Sequence, residues 1–513
     1  DGDHWSDLYF PQGQHFLNSS TPLNDALYRN QRGLRFSECT QIAGIHEYEH
    51  SLSATVADFD NDGFADVFVT NVGVCRLFHN NGDGTFLDAT PASIVRNLDC
   101  SSCACFADLN QDGLLDLFVV NYVADWDRRC LNNAGEFATC HPHELQRAQN
   151  RLYQNLGNGD FRDVTESSGL LGVLGRGLGV VAADLNEDGQ TDVFVANDGT
   201  PNMLFVGERS QGDVSLKQSQ TAVAGISGSR DSTSVSAAIR LTDIAAQSGV
   251  AVPADGRSHA GMGIAVSDFD ENGTLDLFVT NFFREQNTLY SGIGSCLFLD
   301  KSQESGLGST SLELLGFGTQ AIDINSDGYD DLVILNGDID DYSASGRRWK
   351  MPISVFRNRG NGRFIDRSNQ SGAEMQLPQL GRGLSRVDLN GDRVSDLVAV
   401  RHDGPARLLK NETSQENPGI NLLVVSHREC RDAIGRQIRM TCGERHQLRI
   451  VTSGDGFSAS NERLLNFAIP SRVETQIHWG QAQLNLAEIS MQQRFIVVVE
   501  HENGAPRFWQ IPK

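Results

Sequence analysis

The sequence lacks any run of about 18 apolar residues, the length that a membrane-spanning helix requires. Basic residues are scarce as well: 42 Lys and Arg stand against 66 Asp and Glu, which gives a formal net charge of −24. This balance argues against nucleic acid or an anionic membrane surface as a partner. The chain has no zinc-protease helix motif, serine nucleophile elbow or phosphate-binding loop. We therefore expect no membrane-spanning helix, and none of these common catalytic motifs points to an enzymatic activity.

A nine-residue stretch beginning at Asp58 carries the clearest chemical signal. Carboxylates stand at its first, third, fifth and ninth positions, and Gly63 permits a sharp turn between them. Ca²⁺ binds about six to eight oxygen atoms, which alternate side chains of a tight loop can supply. Because four clustered carboxylates would repel one another without a cation, the stretch predicts a calcium-binding loop. Its expected ligands are Asp58, Asp60, Asp62, Asp66 and the backbone carbonyl of Phe64.

This acidic loop recurs five more times at the same spacing, each time followed by an apolar strand. Repetition in one frame is typical of a structural repeat. Arg393 replaces the usual glycine in the last copy, and a broken seventh copy (Asp1, Asp3, Asp7) places the start of the chain inside a repeat. The sequence predicts about six calcium sites, with a seventh considered near Asp1. The ligands expected in the five further copies are Asp108, Asn110, Asp112, Leu114 and Asp116; Asp184, Asn186, Asp188, Gln190 and Asp192; Asp268, Asp270, Asn272, Thr274 and Asp276; Asp323, Asn325, Asp327, Tyr329 and Asp331; and Asp388, Asn390, Asp392, Val394 and Asp396.

Short apolar segments flank the acidic loops, such as Ala54-Thr-Val-Ala before the first and Val67-Phe-Val-Thr after it. Such runs predict strands that are buried on both faces. A third strand, a Gly/Asn turn and a fourth, edge-like strand follow, and four antiparallel strands make one propeller blade. Counting the broken copy, we predict an all-β fold with a seven-bladed calcium-binding β-propeller over residues 1–411.

The predicted ring needs a strand from elsewhere, because its first blade lacks the first strand and its last blade lacks the fourth. Three donors are open: residues upstream of Asp1, the C-terminal region, or a neighbouring molecule. Closure within one chain predicts a monomer. Donation between copies predicts self-assembly by strand exchange, since exposed strand edges pair and a contact that does not close builds a filament.

The connections between strands sort onto two faces of the propeller. The acidic loops share one face, and the long segments 122–150 and 337–352 map to the opposite face. Gly207–Arg240, rich in Ser, Ala and Thr, interrupts the third and fourth strands of blade 4 as a surface excursion. A polar linker over residues 412–419 precedes residues 420–513, where alternating segments predict a small separate β-domain.

Two sequence resemblances add to this interpretation. The repeats resemble the FG-GAP/VCBS propeller family, which also occurs in integrin α-subunit heads. The tail resembles the ASPIC/UnbV module through Arg431-Asp-Ala-Ile-Gly435, Gly443, Ser453-Gly-Asp-Gly-Phe457-Ser-Ala-Ser460 and the Ile477-His-Trp-Gly480 ending.

The combination resembles the cartilage acidic protein (CRTAC) family over nearly the whole chain. The segment from Cys130 to Cys140-His-Pro, followed by Asn150-Arg-Leu-Tyr, matches an insertion common in that family. Arg393 and the Ser-rich excursion of blade 4 depart from the pattern. The resemblance implies a secreted, extracellular or cell-surface calcium-binding propeller with roles in adhesion. It implies no defined catalytic activity.

The ten cysteines are even in number, which suits disulfides in a secreted protein. Cys130 with Cys140, and Cys430 with Cys442, bracket short segments and predict two disulfides. Redox chemistry or zinc at Cys100, or a metal site that uses His141 and His143, is the alternative. The pairing of the remaining cysteines is left open: Cys39, Cys75, Cys100, Cys103, Cys105 and Cys296.

Three functions are compatible with these features. The first is adhesion, matrix or surface assembly through an extracellular protein or glycan ligand, with calcium as a structural ion. The second is a lectin-like, glycan-binding propeller, although the loops of the opposite face differ too much for identical pockets in every blade. The third is a hydrolase or lyase in the central funnel. The acidic and basic residues to test for such an activity are Asp338, Asp340, Asp341, Arg347 and Arg348.

Overall fold

The computed structural model describes residues 3, 5–13, 24–46, 49–131, 135, 137–207, 238–426, 430–469, 475–479, 482–485, 494–499 and 506–511. Seven sheets of three or four strands follow one another up to Leu409, and we number them blades 1 to 7. Neighbouring strands of each blade are antiparallel and successive in the chain, apart from an insertion in blade 3. The predicted all-β propeller fold is confirmed.

Blades 1 and 2 are uninterrupted, and blade 3 contains the insertion. Blade 1 has β1 (Leu8–Phe10), β2 (Ala26–Asn30) and β3 (Phe36–Glu38); blade 2 has β4 (His50–Ala57), β5 (Asp66–Val72), β6 (Arg76–Asn80) and β7 (Phe86–Asp88). Blade 3 has β8 (Ser101–Ala107), β9 (Asp116–Asn121), the short inserted strands β10 (Cys130–Leu131), β11 (Phe137–Ala138) and β12 (Ala148–Gln149), then β13 (Arg151–Asn155) and β14 (Phe161–Asp163), after which β15 (Leu174–Gly175) pairs with β12.

Blades 4 to 7 repeat the hairpin pattern. Blade 4 has β16 (Gly177–Ala183), β17 (Asp192–Asn197), β18 (Met203–Gly207) and β19 (Leu241–Asp243); blade 5 has β20 (Ile264–Ser267), β21 (Asp276–Val279), β22 (Thr288–Gly292) and β23 (Phe298–Asp300). Blade 6 has β24 (Gly316–Ile322), β25 (Asp331–Asn336), β26 (Ser354–Asn358) and β27 (Phe364–Asp366); blade 7 has β28 (Gly381–Val387), β29 (Asp396–Arg401) and β30 (Gly404–Leu409). The predicted excursion Gly207–Arg240 joins β18 to β19, and its residues 208–237 lie outside the described part of the chain.

Helices are short and lie in the connections between blades. They are α1 (Ala92–Val95), α2 (Ala245–Ser248), α3 (Gly308–Ser311) and α4 (Ala373–Gln376), with 3₁₀ turns at Pro142–Glu144, Ser343–Ser345 and Ser368–Gln370. None of the helices in the described ranges is long and apolar enough to cross a membrane.

The hairpin register places the acidic loops alike in every blade. The ninth residue of the loop pairs with the last residue of the first strand, as Asp66 does with Ala57. The same register joins Asp116 to Ala107, Asp192 to Ala183, Asp276 to Ser267, Asp331 to Ile322, and Asp396 to Val387. Each acidic loop therefore begins and ends at the same height of its blade.

Aromatic side chains pack between neighbouring blades. The ring centroids of Phe118 in blade 3 and Phe205 in blade 4 lie 5.7 Å apart, and both residues are buried. Phe68 and Phe106 make the corresponding contact between blades 2 and 3 at 6.4 Å. Strands that are apolar on both faces are thus buried on both faces, as the sequence pattern predicts.

The chain beyond Leu409 forms two further four-stranded sheets. Their strands are β31 (Gly419–Ser426), β32 (Gln437–Cys442), β33 (Arg445–Ile450), β34 (Leu464–Ala468), β35 (Thr475–Trp479), β36 (Ala482–Asn485), β37 (Arg494–Val499) and β38 (Pro506–Ile511). The sheet orders are β34-β31-β37-β38 and β33-β32-β35-β36, with β31 and β37 parallel. The division into residues 1–411, 412–419 and 420–513 remains our proposal.

A loop from these sheets, Ser453–Ser458, enters the space that the first strands of blades 2 to 7 surround. The Ser453 hydroxyl accepts a hydrogen bond from the N–H of Phe106 in β8 at 3.0 Å, and its carbonyl accepts one from the N–H of Ala182 in β16 at 3.2 Å. Gly456 exchanges backbone hydrogen bonds of 2.7 and 2.9 Å with Ile264 in β20. The centre of the propeller is therefore occupied by the chain itself.

The segment after this loop lies between the first strands of blades 7 and 2, beside blade 1. The N–H of Glu462 donates to the carbonyl of Arg386 in β28 at 3.1 Å, and the Glu462 carboxylate accepts from the Ser6 hydroxyl at 2.6 Å. On the other side, the Arg463 guanidinium donates to the Val56 carbonyl in β4 at 3.2 Å. The C-terminal segment thus bridges the blades on either side of blade 1 without adding a strand to blade 1 in the described residues, and the source of the missing strand stays a prediction.

Candidate metal sites

Blade 2 shows how the acidic loop arranges its carboxylates. The Asp58 carboxylate, at position 1, accepts hydrogen bonds from the N–H groups of Asp62 (3.0 Å) and Gly63 (2.9 Å). The Asp62 carboxylate, at position 5, accepts one from the N–H of Phe64 (2.8 Å). The loop backbone therefore fixes the acidic side chains in place, which lowers the entropic cost of holding a cation.

The other five loops repeat this geometry. The position 6 N–H donates to the position 1 carboxylate in every loop, at 2.8 to 3.0 Å. The position 7 N–H donates to the position 5 side chain in every loop, also at 2.8 to 3.0 Å. The structure thus places predicted ligand positions 1, 5 and 7 beside one another in all six loops.

Position 9 ties each loop to the third strand of its blade. Asp66 accepts hydrogen bonds from the N–H groups of Phe59 (3.2 Å) and Asn80 (2.8 Å), so that it bridges the loop and β6. The equivalent third-strand donors are Asn155 to Asp116, Gly292 to Asp276, Asn358 to Asp331, and Asn411 to Asp396, at 2.7 to 3.0 Å.

The turn geometry explains how the blade 7 loop can have Arg393 at position 6, where the other loops have glycine. In the other loops position 4 takes a positive φ and position 6 is a glycine with positive φ, as Asn61 (62°) and Gly63 (102°) do. Blade 7 exchanges the two residue types: Gly391 (73°) stands at position 4 and Arg393 (74°) at position 6. The N–H of Arg393 still donates to Asp388 at 3.0 Å, but the second N–H that Asp388 accepts, at 2.8 Å, comes from position 4 (Gly391), whereas in the other loops it comes from position 5.

Burial raises the pKa of several carboxyl groups at positions 1 and 9 of these loops. The pKa is raised to about 8 for Asp66, Asp192 and Asp331, and to about 6 for Asp58 and Asp108, in each case mainly by desolvation. Ionised carboxylates are therefore costly in the folded protein unless a positive charge stands beside them. A bound cation at each loop supplies that charge.

The donor set fits a hard cation. Asp58, Asp60 and Asp66 offer carboxylate oxygens within 4.8 Å of one another, and Asp268, Asp270 and Asp276 do the same in blade 5. These groups could hold a metal ion.

An unsatisfied atom in the blade 6 loop supports the same conclusion. The side-chain oxygen of Asn325, at position 3, is buried and has no hydrogen-bond partner among the described residues. Its amide nitrogen donates instead to Glu416 at 2.8 Å. A buried acceptor without a donor is costly, and a cation would satisfy it.

His79 is a candidate ligand that the loop spacing did not reveal. Its Nδ1 lies 3.3 Å from a carboxylate oxygen of Asp60 and 3.2 Å from one of Asp66. His79 stands on β6, outside the nine-residue loop. An alignment of the third-strand sequences of the blades is the signal that could have identified this position as one beside the site. The corresponding residue in blade 6, Arg357, lies 3.0 Å from Asp327 and adds a fixed positive charge there.

The broken copy in blade 1 keeps part of the pattern. Asp3 accepts a hydrogen bond from the N–H of Trp5 at 3.0 Å, and Asp7 accepts one from the N–H of Asn30 at 2.8 Å. These contacts match positions 5 and 9 of the complete loops. Asp1, the third residue predicted for this site, lies outside the described residues.

The C-terminal sheets lie against the acidic-loop face. Arg431 lies 3.5 Å from the Asp58 carboxylate of blade 2, Arg439 donates to the Gly273 carbonyl of blade 5 at 2.9 Å, and Arg445 donates to the Asp327 carbonyl of blade 6 at 2.8 Å. These cations meet loop atoms that carry negative charge, so the net charge of the loops also attracts the C-terminal sheets.

The cysteines follow the predictions in part. Cys130 and Cys140 form a disulfide in the insertion of blade 3. The predicted bond between Cys430 and Cys442 is wrong in this structure, because Cys430 is a buried thiol within the C-terminal core. His141 and His143 stack on each other at 5.1 Å beside the disulfide, and neither belongs to a metal-ligating group found among the described residues.

Comparison with known families agrees with this architecture. The FG-GAP-like repeat family matches residues 1–69, 58–119, 145–195 and 323–399, and the ASPIC and UnbV family matches residues 426–504. The fold and its acidic loops therefore define an FG-GAP repeat propeller that carries an ASPIC/UnbV module.

Curated relatives narrow the assignment. Cartilage acidic protein 1 of Xenopus tropicalis is 26% identical over 234 residues, which cover 45% of this chain and 29% of that protein. The Mus musculus protein is 27% identical over 213 residues, which cover 40% and 27%. The chain belongs to the CRTAC-like family, and its match spans less than a third of the length of these relatives.

Solved structures show weaker likeness. An Agrocybe aegerita lectin that recognises non-reducing terminal N-acetylglucosamine is 15% identical, with a TM-score of 0.39 and coverage of 80% of this chain and 90% of that chain. An exotype rhamnogalacturonan lyase is 12% identical, with a TM-score of 0.35 and coverage of 98% and 69%. At these TM-scores neither likeness carries an argument about function.

Proposed function

We propose that this protein is a secreted calcium-binding propeller that acts in extracellular adhesion, or in matrix or surface assembly, through protein or glycan contacts. The observation that carries the proposal is the arrangement of six acidic loops of one geometry on one face, against which the C-terminal sheets pack. A face used for internal contacts leaves the opposite face for partners.

Calcium has a structural role in this proposal. Each predicted ion sits in the hairpin between the first two strands of a blade, and position 9 links that hairpin to the third strand. Oxygen donors from carboxylates, amides and a backbone carbonyl are the ligands that Ca²⁺ takes in proteins. The ion would neutralise the loop and lock three strands of the blade together.

The opposite face has the features of a contact surface. Its long loops expose apolar side chains: Trp126 is 42% exposed and Ile339 is 42% exposed. Exposed apolar groups that are framed by polar loops are typical of interaction sites. The Cys130–Cys140 disulfide in one of these loops also suits an oxidising, extracellular environment.

The other two functions fit the structure less well. Ser453–Ser458 occupies the centre of the propeller, which does not support an active site in the central funnel. A lectin-like protein would bind glycans through the same opposite face that the adhesion function uses. Asp338 of the insertion-rich loop is held in an ion pair with Arg347, so this pair forms part of the framework of that face.

A binding assay with a matched control tests the proposal. Calcium-loaded protein is applied to purified collagen, fibronectin and laminin and to arrayed glycans, with the Trp126→Ala/Ile339→Ala variant beside it. We expect binding to at least one surface component and its loss in this variant. A control variant, Leu87→Ala/Leu299→Ala, removes apolar groups from outer strands that are even more exposed (60% and 47%) and should bind as the wild type does. Absence of binding to every component, or turnover in a broad hydrolase screen, would contradict the proposal.

A further inference from the structure

A cavity of about 600 Å³ lies between blades 5 and 6, on the face opposite the acidic loops. Four connections form it: the β21–β22 loop, the segment between β23 and β24, the β25–β26 loop and the segment after β27. All four connect strands at the end of the blades away from the acidic loops. Its volume falls in the range typical of small-molecule sites, about 300 to 1,000 Å³.

Three arginines converge on this cavity in a chain whose net charge is −24. Arg347 is held in place, since its guanidinium stacks 4.3 Å from the Phe283 ring centroid and 5.0 Å from that of Tyr342, and it forms an ion pair with Asp338. Arg284 and Arg348 are exposed, and neither makes an ion pair within the described ranges. Two guanidinium groups are therefore available to an anion.

The Arg284 backbone is in an uncommon conformation. Its φ is +66°, a region that residues with a Cβ occupy rarely. Its N–H donates to the Leu312 carbonyl at 2.8 Å, and its guanidinium lies 5.2 Å from the Phe283 ring centroid. Backbone strain of this kind persists at functional sites where the surroundings hold it, and here it presents the arginine to the cavity.

The remaining lining limits the charge of the ligand. Glu313 and Asp366 also line the cavity and partly offset its positive charge, so the lining suits a singly charged anion better than a multiply charged phosphate or sulfate. Carboxylates accept hydrogen bonds from hydroxyl groups. The hydroxyls of Thr310 and Ser345, which donate their own protons to backbone carbonyls, add further acceptors. The lining thus favours a ligand with many hydroxyls and few negative charges.

The cavity also has an apolar floor. Phe283, Leu314 and Pro352 line it and are half-buried, so that they present apolar surface to the cavity. A pyranose ring has one apolar face and several hydroxyls, and a uronic acid adds one carboxylate, which an arginine can bind through two parallel hydrogen bonds.

We propose that this cavity binds an oligosaccharide that contains uronic acid, with Arg284 and Arg348 holding a carboxylate. The inference deepens the proposed function and rests on it in so far as the opposite face is taken as the partner surface. Trp126 does not line this cavity, whereas Ile339 shares the β25–β26 loop with it, so a Trp126→Ala variant alone separates the two modes of binding.

Titration calorimetry on the calcium-loaded full chain tests the inference. The probes are trigalacturonate, its fully methyl-esterified form and inorganic phosphate. We expect trigalacturonate to bind, and the ester and phosphate to bind at least tenfold more weakly. The Arg284→Gln/Arg348→Gln variant should weaken trigalacturonate binding at least tenfold at unchanged Tm and calcium content. If the double variant does not fold, Arg348→Gln alone serves, because its side chain is exposed on a loop.

The matched control removes the same charge from the other face of the same blade. Arg359 and Arg363 are exposed in the β26–β27 turn, so Arg359→Gln/Arg363→Gln should bind trigalacturonate as the wild type does. Equal binding of ester and acid, equal losses in the two double variants, or no binding of trigalacturonate would overturn the inference. If matrix components bind while trigalacturonate does not, this inference fails and the proposed function stands; if neither binds, both fail.

Discussion

The Asp432 carboxylate accepts a 2.6 Å hydrogen bond from the backbone N–H of Asp58, the first predicted ligand of the blade 2 acidic loop. Asp432 also pairs with Arg463, whose guanidinium reaches the Val56 carbonyl in β4. The C-terminal sheets are therefore bonded directly to a candidate metal loop and to the strand that precedes it. We expect the state of the loop and the docking of the C-terminal sheets to depend on each other.

Gly454 tests whether the loop at the centre of the propeller stabilises the protein. A Cβ at Gly454 would lie 2.8 Å from the Val180 carbonyl oxygen and 3.0 Å from the Cys105 Cβ, and φ there is +89°. We expect Gly454→Ala to lose about 1–2 kcal/mol through the left-handed backbone, and about 1–3 kcal/mol more through overpacking. Chemical denaturation and limited proteolysis of residues 412–419 measure the effect.

Gly294 provides the matched control for this substitution. Its φ of +91° is nearly the same, and a Cβ there would meet no atom within 4 Å. Gly294→Ala should therefore show the backbone cost alone, without greater proteolysis of the linker. Equal losses in the two variants would mean that the Ser453–Ser458 loop does not depend on close contact with the propeller strands.

Asp62 tests whether the blade 2 loop holds an ion. Asp62→Ala removes the position 5 carboxylate, and we expect it to lose one bound calcium per chain. At calcium a hundredfold above the Kd, the loss of one site costs about 2.7 kcal/mol. The free energy of unfolding should fall by this order in calcium, and the difference from the wild type should largely vanish in excess chelator.

Asp83 serves as the control on the same blade. It is exposed in the β6–β7 turn and accepts its hydrogen bonds from Thr85 within that turn. Asp83→Ala should leave the calcium content unchanged and cost less than Asp62→Ala. If both variants lose stability equally in calcium, the blade 2 loop is not an occupied site.

The stability of metal-free protein should fall as pH rises. Burial raises the pKa of Asp66, Asp192 and Asp331 to about 8, whereas an unfolded Asp titrates near 3.9. The folded state therefore binds more protons than the unfolded state, and its advantage, full below about pH 4, is lost as pH rises towards about 8. In chelator we expect a lower Tm at about pH 8.5 than at about pH 5.5. In calcium this fall should be much smaller, because the ion binds the ionised groups; an equal Tm at both pH values in chelator would be inconsistent with buried, protonated carboxyls.

The assembly state follows from the segment around Glu462. Glu462 and Arg463 contact β28 and β4 of the same chain, so that the C-terminal segment joins blades 7 and 2 beside blade 1 and supports closure within one chain. We expect light scattering of the calcium-loaded protein to give the monomer mass across concentrations. Growth of the mass with concentration that stops when the termini are trimmed would show strand exchange between copies instead.

The fold and the acidic loops were predictable because their information is local. The Asp58–Asp66 spacing fixes the loop, and the apolar segments on either side fix the hairpin that carries it. Arg393 did not disturb the prediction, since Gly391 two residues earlier supplies the flexible position. A single acidic loop is weak evidence for a repeat fold, and its occurrence six times in one frame is strong evidence.

The contacts of the C-terminal sheets were not predictable, because they join residues hundreds of positions apart. Asp432 meets Asp58 across 374 residues, and no repeat marks Asp432 as the partner of that loop. His79 was not predictable from the loop spacing for a simpler reason: it stands on the third strand, outside the nine-residue loop. The Cys430–Cys442 prediction failed because closeness in sequence does not place two side chains in bonding geometry across the turn between them.

Calcium content, measured together with thermal unfolding, tests the central claim most directly. The protein is dialysed against calcium, analysed by elemental mass spectrometry, melted, and then chelated and melted again. We predict about six calcium ions per chain, one for each complete acidic loop, and a large fall in Tm on chelation that readdition of calcium reverses. Less than one ion per chain, with the same Tm before and after chelation, would contradict the account.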